Sequence, residues 1–216
     1  PWQTFILINI FGFIDKHGNR RFNHAYIEVP RKNGKSTLCS GIAAYMLDSD
    51  GEAGAEIYTL GTKKDQARIV FNETKRMVKA SKALLRSIKV NQANLSVEKT
   101  DSKLEPLSAE ANTLDGLNTH CGIIDEVHAH KTRELYDVID TSTGARTQPL
   151  IFLITTAGAS RSSLCWELHD HTEAVLKGVL EDDSWFGIVY GADKDDDWRK
   201  EETWIKANPN WGISVN

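Results

Sequence analysis

The sequence has no run of 18 uninterrupted apolar residues and only three cysteines among its 216 residues. Without such a run we expect no membrane span. The apolar stretch from residue 5 to 13 lacks a basic flank and a small-residue cleavage site, so no signal peptide is predicted. Cys39, Cys121 and Cys165 are far apart and lack metal-ligand spacing, which favours reduced core residues of an intracellular protein.

Histidine does not supply a metal site either. His128 and His130 are two residues apart, which places them on opposite faces of a strand and apart on a helix, so a zinc pair is not expected. There are no internal repeats and no low-complexity segments. A hydrophobic content of 40% is ample for the core of one large domain, alone or with a small appendage. Pro1 is not an initiator residue, so we expect a fragment.

What the sequence does contain is a Gly-Lys-Ser triplet, Gly34 to Ser36, after a strand-like run. Such triplets end phosphate-binding loops, in which the glycine lets backbone N–H groups face an anion. The lysine, Lys35, would reach the β- and γ-phosphates, and the Ser36 hydroxyl would ligate Mg²⁺. A helix beginning here would direct its positive dipole end at the phosphates.

The loop departs from the usual G-x-x-x-x-G-K-[ST] pattern, because Val29 stands at the position of the first glycine. Two further cations, Arg31 and Lys32, lie inside the loop. Taken alone, the triplet is also compatible with a chance match at a helix start. The predicted nucleotide-binding residues are Pro30, Arg31, Lys32, Asn33, Gly34, Lys35, Ser36 and Thr37.

A second motif lies about 90 residues downstream, where a short apolar run ends in Asp125-Glu126. At the carboxyl end of a buried parallel strand, Asp125 would hold the Mg²⁺ shell. Glu126 would polarise the water that attacks the γ-phosphorus. A strand followed by an acidic helix cap is the alternative for this motif alone. Both motifs in this order indicate a P-loop ATPase with ATP and Mg²⁺ as cofactors.

A third strand-like run, from residue 150 to 154, ends in Thr155 and Thr156. Hydroxyls at that position would sense the γ-phosphate or its hydrolysis, although both residues also suit a helix cap. Strands and helices alternate along the chain, which predicts an α/β fold, a P-loop NTPase with a mostly parallel sheet flanked by helices. An extra strand–helix unit lies between the two motifs, which fits P-loop ATPases with a strand inserted between them.

The net charge of −4 conceals an asymmetry. Residues 63–89 carry nine basic and two acidic side chains, and residues 181–202 carry nine acidic and three basic ones. Both stretches are compatible with solvated faces. In an ATPase with a polymer substrate, the basic stretch would contact nucleic-acid phosphates, with Lys75, Lys79 and Lys82 on one predicted helical face.

Assembled, these motifs resemble the ATPase domain of tailed-phage terminase large subunits, the DNA-packaging motors, most closely the group that includes phage HK97. The resemblance implies a RecA-like fold of the ASCE type and runs through nearly the whole chain. Its motifs lie at residues 1–3, 10–12, 30–36, 62–67, 114–118, 123–128, 155–158 and 207–210. Terminases commonly carry a deviant phosphate loop with an arginine, which accounts for Val29 and Arg31. A helicase of the Asp-Glu-x-His type and a nucleotide-gated DNA-binding module are the alternatives.

The resemblance implies roles for several residues. Gln3 would read adenine, Arg31 would support the γ-phosphate in cis, and Thr155 and Thr156 would belong to the coupling motif. Residues 1–206 would form the ATPase domain and 207–216 the start of a linker to a C-terminal nuclease that this chain lacks, so no DNA cleavage is expected. An arginine from a neighbouring subunit would complete the site, with Arg146 favoured slightly over Arg133.

The resemblance also implies partners and a location. The protein would translocate double-stranded viral DNA into a procapsid, together with the portal protein and the small terminase subunit. It would form a homo-oligomeric ring on the procapsid and a monomer in isolation. We expect it in the host cytoplasm, docked transiently on the procapsid, and not in the mature virion.

Overall fold

In a computed structural model, which describes residues 1–108, 116–158 and 160–215, one sheet of eight strands carries helices on both faces. The strands are β1 His24–Glu28, β2 Glu56–Gly61, β3 Lys89–Val90, β4 Leu95–Val97, β5 Ser102–Ser108, β6 Thr119–Asp125, β7 Leu150–Thr155 and β8 Trp185–Val189. The α-helices are α1 Trp2–Gly12, α2 Lys35–Asp48, α3 Lys64–Ala80, α4 Leu84–Ser87, α5 Glu134–Thr141, α6 Leu164–Leu176 and α7 Glu201–Ala207. A 3₁₀ turn covers Val127–Ala129. Leu114 and Asp115 of the 114–118 motif lie outside the described residues.

The sheet order is β3-β4-β5-β2-β6-β7-β1-β8, and only the β3-β4-β5 edge is antiparallel. The predicted mostly parallel sheet is therefore confirmed. The identity of the inserted strand is different from our expectation. The strand between β1 and β6 is β7, which follows both in sequence, whereas β2 pairs on the far side of β6. Sequence order alone could not distinguish these arrangements, because a parallel strand can join the sheet on either side.

Each face of the sheet has its own apolar core. One face is covered by α1, α2 and α3, and Ile6 and Ile10 of α1 are completely buried there. The other face is covered by α5 and α6. Gly122 of β6 belongs to this second interface, because a Cβ at this residue would lie 2.5 Å from Cγ2 of Ile139 in α5. Glycine at position 122 is thus required by close helix–sheet packing.

Helix α3 ends at Ala80, because Ser81 takes an extended backbone conformation. Lys82 therefore lies outside α3 and does not share a helical face with Lys75 and Lys79. Among the described residues, no helix combines the length and apolar character needed to span a bilayer. The three cysteines are buried free thiols, as expected for core residues.

Candidate active site

Three strands bring the sequence motifs together, because β1, β6 and β7 are parallel neighbours and end at the same edge of the sheet. The Gly-Lys-Ser loop follows β1, Asp125 is the last residue of β6, and Thr155 is the last residue of β7. The Gly-Lys-Ser loop and Asp125 are about 90 residues apart in sequence, but they lie at the same edge of the sheet because β7 pairs with both β1 and β6.

The loop bends through two residues in the left-handed region, Lys32 with φ 66° and Gly34 with φ 82°. Helix α2 begins immediately afterwards at Lys35. A Cβ at Gly34 would lie 3.2 Å from Nε2 of Gln3, so both the backbone angle and the space favour glycine. A left-handed turn entering a helix N-terminus creates a concave set of N–H groups that suits a phosphate.

The first residues of α2 meet the two carboxylates. The Ser36 hydroxyl donates a hydrogen bond to Oδ2 of Asp125 at 3.2 Å. Nζ of Lys35 lies 3.6 Å from Oε1 of Glu126. Lys35 and Asp125 are each only 7% exposed, so both charges are largely withdrawn from water. The residues predicted to bind phosphate, metal and attacking water therefore converge on one point.

Glu126 reaches this point through an unusual backbone conformation. It has φ 58° and ψ 52°, in the left-handed region that non-glycine residues rarely adopt. In a continuing strand, consecutive side chains would point to opposite faces of the sheet. The left-handed turn breaks this alternation and lets Asp125 and Glu126 both approach the start of α2.

Asp125 has bonding capacity left over. Its Oδ1 atom is buried and has no hydrogen-bond partner among the described residues. Burial, reinforced by the neighbouring Glu126 carboxylate, raises the pKa of Asp125 despite its contacts with Ser36 and Lys35. A buried carboxylate oxygen without a partner, beside a serine hydroxyl, is a donor set that fits Mg²⁺.

His128 lies between the Glu126 carboxylate and β7. Its Nδ1 lies 3.1 Å from Oε2 of Glu126 and 3.0 Å from Oγ1 of Thr155. The same nitrogen is 3.3 Å from Oγ1 of Thr156, and the backbone N–H of His128 donates to Thr155 Oγ1 at 3.1 Å. His128 was not predicted to act at the nucleotide site. Its spacing, two residues after Glu126, was the available signal for a role at this edge.

A family model described as "Terminase large subunit, ATPase domain" matches residues 1–174. The chain belongs to this family. The terminase large subunit of Enterobacteria phage HK97 is 30% identical over 193 residues, which cover 87% of this chain and 37% of that protein. Protein YmfN of Escherichia coli strain K12 is 43% identical over 101 residues, covering 47% of this chain and 22% of YmfN. The chain thus spans less than half the length of these curated relatives.

Solved structures agree with the family. The crystal structure of the HK97 large terminase superposes with a TM-score of 0.85 at 28% identity, covering 100% of this chain and 44% of that one. The ATPase domain of the Thermus phage P74-26 large terminase gives a TM-score of 0.61 at 15% identity, covering 85% and 84% of the two chains. The second likeness shows the fold alone. Both place this terminase ATPase domain among P-loop folds, as predicted, and do not favour the helicase.

The remaining predicted residues of this terminase ATPase domain lie around the loop. Gln3 donates from Nε2 to the Gly34 carbonyl at 3.2 Å. Arg31 is exposed on the rim of a cavity of about 970 Å³ that Thr156 also lines. Pro30 lines the same cavity. Thr37 is exposed and lines a different groove, between α1 and α2.

Arg146 is the one predicted site residue that the structure separates from the others. It precedes β7, at the end of the sheet opposite the loop. Its guanidinium pairs with Glu52 at 3.1 Å and donates to the carbonyl oxygens of Gly54 and Asn118 at 2.5 and 2.9 Å. The side chain is 7% exposed. These contacts are structural and argue against its selection as a trans-acting arginine.

Arg133 lies on the loop side of the sheet, shortly after the Asp125-Glu126 motif, and is 55% exposed. It pairs with Asp137 at 2.9 Å and with Glu167 at 2.8 Å. Exposed pairs of this kind contribute little stability and exchange readily with other partners.

Proposed function

We propose that this terminase ATPase domain hydrolyses ATP with Mg²⁺, and that the whole protein uses this reaction to move double-stranded viral DNA into a procapsid. The observation that supports the proposal most strongly is the convergence of Lys35 and Ser36 with Asp125 and Glu126 at one edge of the sheet. Family membership supports the packaging part of the proposal.

In the proposed reaction, the loop N–H groups and Lys35 hold the β- and γ-phosphates. Ser36 and Asp125 hold Mg²⁺, which neutralises charge on the phosphate oxygens when bound. Glu126 orients a water molecule for in-line attack and accepts its proton. Because Lys35 and Asp125 are buried, the attraction of Lys35 for the phosphates and of Asp125 for Mg²⁺ would act in a medium where charges are weakly screened.

The base would bind at the end of a groove between α1 and α2. Gln3, Thr37 and Tyr45 line this groove of about 620 Å³, and most of its other lining is aliphatic or aromatic. One N–H of the Gln3 amide holds the loop, which leaves the second N–H and Oε1 for the adenine edge. Thus Gln3 would connect base recognition to the phosphate loop.

Coupling of hydrolysis to movement would pass from Glu126 through His128 to Thr155 and Thr156. The distances of 3.0 to 3.3 Å from Nδ1 of His128 to the two hydroxyls support this route. Arg31 would support the γ-phosphate in cis from the loop. In an assembled ring, Arg133 replaces Arg146 as our choice for the arginine given to a neighbour, since it is exposed on the loop side.

DNA would contact the basic stretch of residues 63–89. Lys75 contributes less than expected, because its Nζ donates to the carbonyl of Asn91 at 2.6 Å. Lys79 and Lys82 are exposed. The portal protein, the small terminase subunit and transient docking on a procapsid in the host cytoplasm remain parts of the proposal, as does the linker role of residues 207–216.

The decisive experiment measures phosphate release from ATP by the chain, with and without Mg²⁺, beside the variant Glu126→Gln. We expect Mg²⁺-dependent release by the unsubstituted chain, and retained ATP binding with at least about 100-fold slower release by the variant. Binding without release in both proteins would favour the nucleotide-gated module. Strand separation of duplex DNA would favour the helicase.

A further inference from the structure

The segment that follows α7, residues 208–215, packs directly against the phosphate loop; we call it the strap. It makes three kinds of contact with the loop. The Ser214 hydroxyl donates to the Lys32 carbonyl at 2.6 Å. The Asn210 side chain donates from Nδ2 to the Asn33 carbonyl at 2.9 Å, and the backbone N–H of Asn210 donates to Oδ1 of Asn33 at 3.0 Å.

These contacts occupy consecutive carbonyl groups of the loop. Ser214 donates a hydrogen bond to the carbonyl of Lys32, and Asn210 donates one to the carbonyl of Asn33. Gln3, from α1, donates to the next carbonyl, that of Gly34. All three peptide bonds are trans, so each C=O points away from the N–H in the same peptide plane. Fixing these carbonyls therefore also fixes the directions of the N–H groups of Asn33, Gly34 and Lys35, each of which points away from the contact that the carbonyl of the same peptide bond makes.

The Asn33 side chain is the centre of this arrangement and is completely buried. Its Nδ2 donates to the carbonyls of Pro30 and Arg31 at 3.1 and 3.3 Å and to Oδ1 of Asn208 at 3.3 Å. The strap itself is anchored by Trp2, whose Nε1 donates to Oδ1 of Asn210 at 3.1 Å. Asn210 thus joins the loop, the strap and the start of α1.

We propose that the strap sets the phosphate-binding conformation of the loop, and that Asn210 is its principal positioning residue. This inference rests on the proposed function, because it assigns the strap to the same nucleotide site. The position of residues 208–215 then controls nucleotide affinity. By linkage, bound nucleotide must stabilise the strap by the same factor.

The first test compares nucleotide affinity and turnover of Asn210→Ala with the unsubstituted chain. The substitution removes the side-chain hydrogen bonds that Asn210 donates to the Asn33 carbonyl and accepts from Trp2, so we expect roughly tenfold weaker nucleotide binding or more. Phosphate contacts exist in the bound ground state and in the transition state alike, so KM should rise while kcat changes little. Ile213→Ala is the matched control, since Ile213 lies in the strap but is 74% exposed.

The second test uses the unsubstituted chain and does not depend on a variant that folds. Hydrogen exchange of the strap amides is measured with and without Mg²⁺ and a non-hydrolysable ATP analogue. The N–H groups of Gly212, Ile213 and Val215, which are bonded inside the strap, should exchange about tenfold more slowly with the analogue bound. Equal exchange rates would overturn the proposal.

The outcomes separate the two proposals. If the unsubstituted chain does not bind ATP, the proposed function fails and the strap proposal fails with it. If the chain binds ATP and Asn210→Ala binds it equally well, only the strap proposal is wrong. A fall in kcat with unchanged KM would also contradict the strap, because it would place Asn210 in the chemical step.

Discussion

The two ends of the sheet each contain a buried aspartate, and the two residues behave oppositely. At the end where β1, β6 and β7 begin, both carboxylate oxygens of Asp50 accept hydrogen bonds from Arg20, at 3.0 and 2.8 Å, and His120 Nε2 lies 2.7 Å from Asp50 Oδ2. At the end where these strands finish, the Asp125 side chain accepts a side-chain hydrogen bond only from Ser36 among the described residues, and its Oδ1 has no partner there.

The pKa directions follow these surroundings. Burial alone would raise the pKa of Asp50, but the bonds from His120 and Arg20 outweigh it and lower the pKa. For Asp125, burial and the Glu126 carboxylate outweigh Ser36 and Lys35, so the pKa is raised. A carboxylate whose charge is neutralised within the fold serves stability. A carboxylate left undercompensated is suited to an external cation.

The largest expected effect is on activity at the carboxyl end. Lys35→Ala should slow ATP hydrolysis by at least about 100- to 1,000-fold, since it removes a preorganised positive charge from the transferring phosphoryl group. Phosphate-release assays measure the rate, and Lys79→Ala, on the exposed part of α3, is the control. Near-normal turnover by Lys35→Ala would refute the phosphate-loop assignment.

A paired substitution tests the two aspartates directly. Asp50→Asn should lower the free energy of unfolding by about 3 kcal/mol, because it leaves buried Arg20 undercompensated. Asp125→Asn should leave the unfolding free energy unchanged or increase it by up to about 1 kcal/mol, because it removes an undercompensated charge. It should also abolish the Mg²⁺ dependence of ATP binding. Denaturant unfolding and calorimetry measure the two effects, and a reversed pattern would invalidate the comparison.

The arginines provide a similar contrast. Arg146→Ala should destabilise the fold by about 3 kcal/mol, because Glu52 and three backbone carbonyls lose a buried partner, while hydrolysis per folded molecule is unchanged. Arg133→Ala should change stability by less than about 1 kcal/mol but remove the stimulation of hydrolysis by ring assembly. Mixing Arg133→Ala subunits with Glu126→Gln subunits should restore activity. Absence of rescue would exclude Arg133 as the shared arginine.

A pH-dependent effect is expected from His130, which is 3% exposed and has no partner for Nε2 in the described residues. Burial lowers its pKa to about 4. The unfolded chain binds a proton near pH 6.5 and the folded chain does not, so stability falls as the pH drops from 6.5 towards 4. The loss should reach about 2 kcal/mol at pH 5 relative to pH 8. The free energy of unfolding of His130→Gln should fall less over the same pH interval, as measured by urea unfolding.

The phosphate loop, the Asp125-Glu126 motif and the parallel sheet could be predicted because each depends on local patterns. Apolar runs followed by Gly-Lys-Ser or by paired carboxylates specify both an element and its end. Arg146 was favoured as the trans-acting arginine because the sequence does not reveal that its side chain is buried against Glu52 and backbone carbonyls. The strap could not be predicted, because its contacts join residues about 180 positions apart through side-chain hydrogen bonds.

The left-handed backbone of Glu126 has a consequence for how this position can change over time. Glycine or asparagine would adopt this conformation at lower cost than glutamate, so a requirement for folding alone favours replacing the side chain. The proposed role of Glu126 in activating water would account for glutamate at this position. If that proposal is right, a copy of this chain no longer selected for ATP hydrolysis would accumulate substitutions at position 126 early, and those to glycine or asparagine would stabilise the fold.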